Sequence, residues 1–219
     1  MYNGRVTVGG PAEVHELPQL MISKLAVGPY NNNVYLLRCR ATGAQVLVDA
    51  ESDPGRIMDL LGSEGISMVI TTHRHPDHWQ ALEEVRNLTG ALTAAHRDDV
   101  EGIPVPTDVV LRDGDAVSVG DCSLEVIQLI GHTPGSIALL YDDPEGPPHL
   151  ITGDCLFPGG VGKTSTPEEF ESLLVGSPSA FSLASQTRPG SIPATVGTPP
   201  WARSARHSRN GVNAAGDAS

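Results

Sequence analysis

Three histidines and an aspartate fall within the six residues His73-Arg74-His75-Pro76-Asp77-His78, directly after the apolar run Met68-Val69-Ile70. This spacing suits a loop at a strand end that turns its side chains onto one point. Neutral imidazoles and a carboxylate suit zinc, and also iron or manganese, so the residue types fix a ligand class before they fix a metal. H-x-H-x-D-H is far more specific than a lone histidine. The chain must therefore fold so that a strand delivers this loop and other loops reach it.

The flanking sequence supplies such a scaffold. Leu20 to Val27, Asn33 to Arg38 and Gln45 to Asp49 read as strands separated by turn residues. Asp53-Pro54 reads as an N-cap followed by proline at the first helical position, opening a helix with Ile57, Leu60 and Leu61 on its apolar face, closed by Gly62 or Gly65. Ser67 to Thr71 is the next predicted strand. A second helix is expected from about His78 to Leu88, with Leu82, Val85 and Leu88 facing inward. Ala91 to Ala95 is a further strand, ending at His96, which is read as a local polar residue because it lacks a neighbouring donor cluster. From Ala116 onward the pattern is β-rich: Ala116 to Val119, Leu124 to Ile130, Ser136 to Tyr141 and His149 to Thr152. Thr166 to Phe170 begins a last helix, which ends near Leu174. Strands and helices divide into two similar halves, which predicts two sheets packed face to face with helices outside.

Two loops of the second half carry donors. Gly131-His132-Thr133-Pro134-Gly135-Ser136 follows one strand, and Gly153-Asp154-Cys155 follows another. Three strand-end loops that each offer donors are how an active site is assembled on a sheet scaffold. Phe157 to Thr164 ends in Gly-Lys-Thr like a phosphate loop, but Phe157 stands where that motif needs its first glycine, so nucleotide binding is rejected.

Composition excludes other classes. With 219 residues the chain accommodates one domain with a real core, placed at 1–174, followed by a tail at 175–219. The formal charge of −12 argues against a nucleic-acid partner, and no basic stripe offsets it. From Gly176 onward there are four arginines against Asp217 alone, leaving about −15 on the preceding residues. No stretch approaches a membrane span and the first ten residues carry no basic-then-apolar signal, so a cytoplasmic protein acting on a small molecule is expected. Cys39, Cys122 and Cys155 are too few and too scattered for a disulfide framework or a zinc ribbon and read as buried thiols. Oligomeric state is left open.

Together, Val48-Asp49-Ala50, the His73 to His78 motif, Gly131-His132-Thr133-Pro134-Gly135-Ser136 and Gly153-Asp154-Cys155-Leu156-Phe157 resemble the metallo-β-lactamase superfamily, and within it the glyoxalase II-like hydrolases, over about Leu20 to Leu174. The resemblance implies an α/β (α+β) fold, the four-layered αβ/βα sandwich, incomplete here in its last α/β elements. It implies that His73, His75 and His132 hold one metal, that Asp77 and His78 hold a second, that Asp154 bridges, and that Asp49 supports the ligands from behind. Two zinc ions are the expected cofactors, with the second weakly held and iron or manganese as alternatives. Asp77 and Asp154 are the expected catalytic carboxylates, in a reaction where a metal-bridging hydroxide attacks an ester, thioester or lactam carbonyl. No side-chain nucleophile is needed, in keeping with the lack of a G-x-S-x-G elbow. Two other readings remain: a mononuclear iron persulfide dioxygenase, and an inactive, truncated metal-binding pseudoenzyme.

The family pattern also asks for a histidine in a Tyr-Pro-Gly-His-Gly-like segment near the C-terminus, and this chain has none. Beyond Leu174 it turns to Ser, Pro, Arg and Ala with scarcely an apolar period, which reads as a disordered tail. A second reading is that the tail is translated out of frame. Taking the third base of each codon with the first two of the next, Pro189 to Val196 can encode W-V-Y-P-G-H-G, the histidine codon CAC lying across Ala194 and Thr195, and Gly216 to Asp217 can supply a stop. The slip would lie close to Val175. His207, flanked by arginines, is a poor substitute ligand.

Overall fold

A computed structural model describes residues 4–157, 160–174 and 176. Apart from Gly176, the tail, with His207 and the out-of-frame segment, thus lies outside the described residues. Thirteen strands are described, β1 (Glu13–Glu16), β2 (Leu20–Val27), β3 (Asn32–Cys39), β4 (Gln45–Val48), β5 (Met68–Thr71), β6 (Leu92–His96), β7 (Val109–Leu111), β8 (Ala116–Val119), β9 (Cys122–Gln128), β10 (Ile137–Tyr141), β11 (His149–Ile151), β12 (Leu156–Phe157) and β13 (Gly160–Val161). The helices are α1 (Pro54–Leu61), α2 (Leu82–Thr89) and α3 (residues 167–174).

The first sheet runs β1 to β7 in sequence order and the second runs β11-β10-β9-β8, with β12 and β13 forming a separate hairpin. Strands β1 to β4 pair antiparallel, as short turns require, whereas β4 to β7 pair parallel because α1, α2 and the 97–108 connection with its 3-10 turn at Val100–Gly102 carry the chain back between successive strands. Parallel pairing puts the ends of β4, β5 and β6, and the loops after them, on one edge of the sandwich.

Three apolar layers hold the elements in place. Between the sheets, Ile22, Leu37, Val48 and Ile70 meet Val117, Leu124, Val126, Ile137 and Leu139. On the far side of the first sheet, Leu47 and Val69 pack under Ile57 and Leu61 of α1 and Leu82 and Val85 of α2. On the far side of the second, Leu129, Ala138, Cys155 and Leu156 receive Leu173 of α3. The order is helix, sheet, sheet, helix, the four-layered sandwich the motifs imply. Each fully buried aliphatic side chain contributes about 1.5–3 kcal/mol, so the interior is fixed by these alternating faces rather than by the loops. No helix among the described residues is long and apolar enough to cross a membrane.

Two local expectations need correction. The chain after the motif first makes a 3-10 turn at Pro76–His78, and α2 begins only at Leu82. Leu88, expected to face inward, is 59% exposed. Two successive i+3 steps from Leu82 fall about 120° behind the 3.6-residue period, which carries position 88 off the buried stripe. α1 begins and ends as read, with Asp53 Oδ1 accepting from Arg56 N and Gly62 closing it.

Candidate metal centre

The loops after β4, β5, β6, β9 and β11 meet at one edge of the sandwich. Asp49, straight after β4, has φ 58, a conformation uncommon for a residue with a side chain. Its buried carboxylate is held by three donors: Oδ1 accepts from Thr72 N at 2.8 Å, and Oδ2 accepts from Thr72 Oγ1 and His78 Nδ1, each at 2.9 Å. The Thr72 hydroxyl proton is thereby used. At 3.1 Å from His73 Nδ1 the same oxygen can only accept, so His73 carries its proton on Nδ1 and presents a bare Nε2 to the interior. His132 is set in the same way, its Nδ1 donating to Lys163 O at 2.8 Å. Fixing the tautomer of a ligand histidine through its outer nitrogen is the usual work of such partners.

The inner nitrogens converge. His132 Nε2 lies 3.2 Å from His73 Nε2 and 3.0 Å from His75 Nδ1. Donor atoms of His73, His75 and His132 form one set within 4.8 Å of one another, and those of His73, His78 and Asp154 form a second. Asp154 faces both: Oδ1 is 3.5 Å from His78 Nε2, and Oδ2 is 3.9 Å from His132 Nε2. Gly153 allows this approach, since it takes φ +48 and a Cβ there would lie 2.6 Å from Thr72 Oγ1.

Burial sets the charges. It pushes His73 well below the ordinary histidine value, helped by His78, His132 and His75, and it lowers His75 as well. Burial also opposes charge on His78, but the Asp49 and Asp154 carboxylates outweigh it and hold that histidine well above its ordinary value. Asp154 is lowered although burial would raise it, because His78 and His132 stand beside it.

The residues fit a bound cation. His78 Nε2 is buried with no well-formed hydrogen bond and faces Asp154 Oδ1 at 3.5 Å, a pairing that favours a positive charge between them, whether a proton or a metal ion. Nitrogens 3.0 and 3.2 Å apart come close to the edge of a tetrahedron of ligands at about 2.0–2.1 Å from zinc, which is about 3.3 Å. His73, His75, His78, His132 and Asp154, all named from sequence, are brought together. Asp77 stands outside both sets: its Oδ2 accepts from Asn32 Nδ2 at 3.0 Å, and its charge acts on His75 from there. His96 is buried beyond the cluster, where its Nδ1 accepts from Asp98 N at 3.3 Å. Cys155 is a buried thiol that burial pushes up to about 12.

Sequence reasoning passes over one residue that organises the site. Asp99, fully buried just past β6, accepts at Oδ2 from Arg74 N at 2.9 Å and from the Thr133 hydroxyl, and at Oδ1 from Gly135 N at 2.9 Å. It ties the loop carrying His73 and His75 to the loop carrying His132. The signal available was an aspartate at the same strand-end edge as Asp49 and Thr72.

A family model described as the metallo-beta-lactamase superfamily matches residues 27–207. A hydroxyacylglutathione hydrolase of Fuscovulum blasticum is 37% identical over 149 residues, which are 66% of this chain and 56% of that protein. The chain spans about half the length of the curated relatives it matches. Among solved structures, ETHE1 from Myxococcus xanthus is 28% identical with a TM-score of 0.58, covering 66% of this chain and 62% of that one. TTHA1623 in a di-iron-bound form is 25% identical with a TM-score of 0.64, covering 81% of this chain and 98% of that one.

Proposed function

This chain belongs to the metallo-beta-lactamase superfamily, and on that premise we propose that it hydrolyses a small thioester of the hydroxyacyl–thiol class at a centre of two metal ions. The observation that carries the reading is the set of His73, His75 and His132 nitrogens with His78 beside it, and Asp154 facing both His132 and His78. His73, His75 and His132 would hold one ion, and His78 with Asp154 would hold the other, Asp77 being the further carboxylate beside it. Zinc suits these donors first, with iron or manganese as alternatives. When bound, such ions lower the pKa of water and polarise a carbonyl.

The chain's own residues do the rest. Asp49, Thr72 and Lys163 O fix which nitrogen His73, His78 and His132 turn inward. In this reading Asp154, which faces both donor sets, would orient the attacking water and take up its proton, and Asp77, whose Oδ2 accepts from Asn32 Nδ2, would have to turn from that partner to join it. The test is metal content per chain together with hydrolysis of a hydroxyacyl-glutathione thioester. About two ions per chain with metal-dependent release of thiol is expected. Two tightly held ions with no turnover would overturn the hydrolase and leave a metal-binding pseudoenzyme.

One observation favours a second reading. His73, His78 and Asp154 are two histidines and a carboxylate, the set used by mononuclear iron dioxygenases. One iron per chain, with oxygen consumed on a persulfide substrate, would select that reading.

A further inference from the structure

Of the donors in the H-x-H-x-D-H loop, His73, His75 and His78 enter the donor sets of the described residues, whereas Asp77 stands outside both. One side chain holds it there. Asn32 Nδ2 donates to Asp77 Oδ2 at 3.0 Å and to the Asp77 main-chain oxygen at 3.1 Å. An amide nitrogen carries two hydrogens, so each contact has its own and the donor is fully used. The contact to the main-chain oxygen depends on the backbone alone. The contact to Oδ2 exists for one orientation of the carboxylate.

The two backbones are fixed independently of each other. Asn32 opens β3 and pairs with Val27 of β2, next to a turn in which Asn31 N donates to Gly28 O at 3.4 Å. Asp77 sits inside the 3-10 turn Pro76–His78, where the proline ring restricts the preceding φ and His78 N donates to His75 O at 3.0 Å. His78 O in turn accepts from Ala50 N at 3.2 Å, which pins the turn to the end of β4. The freedom that remains is rotation of the Asp77 side chain, which is half-buried rather than packed in the core.

We propose that Asn32 is a positioning residue that holds the Asp77 carboxylate in reserve and thereby sets the affinity of the second metal position. The proposal rests on the two-ion reading above, in which Asp77 joins His78 and Asp154. To do so, Asp77 gives up the bond from Asn32 Nδ2 to its Oδ2 and keeps the one to its main-chain oxygen. Only the fraction of molecules with that bond open offers a complete second site, so the apparent dissociation constant is the intrinsic one divided by that fraction. A hydrogen bond to a charged oxygen leaves about a tenth of the carboxylates open, which weakens the second ion about tenfold. Among the described residues the Asn32 side chain donates to none of His73, His75 and His132, so the first position is untouched. At limiting metal the chain is therefore loaded at the first position only.

The test is stepwise zinc binding by the full metal-free chain, read in competition with a chromophoric chelator and so without any assay of turnover. Wild type is compared with Asn32→Ala and with Asn32→Leu, which removes the donor and keeps the volume. The expected result is a second dissociation constant about tenfold tighter in both variants, with the first unchanged. In an Asp77→Ala background, Asn32→Ala changes neither constant, because Asn32 acts through Asp77. The proposal is overturned if the second ion binds the variants with unchanged or weaker affinity while the first binds normally, which would make Asn32 a support for the bound carboxylate. It is overturned as well if the tightening persists without Asp77, or if both constants move together. A chain that takes up a single ion under excess zinc, with or without Asn32, overturns the two-ion reading itself and this proposal with it.

Discussion

Asp99 shows how one buried carboxylate sets the geometry of a site it does not enter. It ties Arg74 N, the Thr133 hydroxyl and Gly135 N together and is fully buried. An Asp99→Ala substitution strands three donors and releases the two histidine loops from each other. We expect a loss of roughly 2–4 kcal/mol, since hydrogen bonds to a charged group are the stronger kind and stranded buried donors add their own penalty. Urea unfolding measures it, and a change under about 1 kcal/mol would show that the loops hold without the clamp. The residue was hard to read from sequence. Asp98-Asp99 looks like a polar turn, and its partners come from segments on either side of it in the chain.

At the scale of elements, the edges of the two sheets meet through histidines. His15 of β1 and His149 of β11 lie with ring centroids 5.2 Å apart, edge to face, and His149 Nε2 is buried with no hydrogen-bond partner. Burial lowers both pKa values below the ordinary value, and each outweighs the attraction of Asp143; for His15, that of Glu13 as well. A histidine depressed in the folded state binds fewer protons there than in the unfolded chain. The stability it contributes is therefore fully present above about 6.5 and is lost as pH falls from there toward the folded-state pKa. The melting temperature should drop between pH 7.5 and 5, and drop less in a His149→Phe variant, with thermal melts across that range as the check. Equal pH dependence in the two proteins would remove the edge pair from the account. β1 and β7 were also the strands hardest to find in the sequence. Glu13-Val14-His15-Glu16 and Val109–Leu111 are short edge strands, which pair on one side only and so carry little apolar signal.

For the whole molecule, the centre joins loops from both sheets, so metal binding and folding are coupled. A chelator should lower the melting temperature, because an ion present at a hundred times its dissociation constant adds about 2.7 kcal/mol. Calorimetry with and without chelator reads this directly, and an unchanged melting temperature would mean that the donor sets hold no ion in solution. The sequence by itself determined the ligand class and much of the scaffold: β2 over Leu20–Val27, α1 from its Asp53 cap to Gly62, and the H-x-H-x-D-H loop after β5. These depend on neighbours within a few positions, where apolar period, capping and spacing act directly. Only the tertiary structure decided that His73 falls in both donor sets, that Asp77 turns to Asn32, and that Asp99 clamps two loops. Each of those contacts joins segments brought together by sheet order and layer packing, and no local period along the chain encodes a distance across the sandwich.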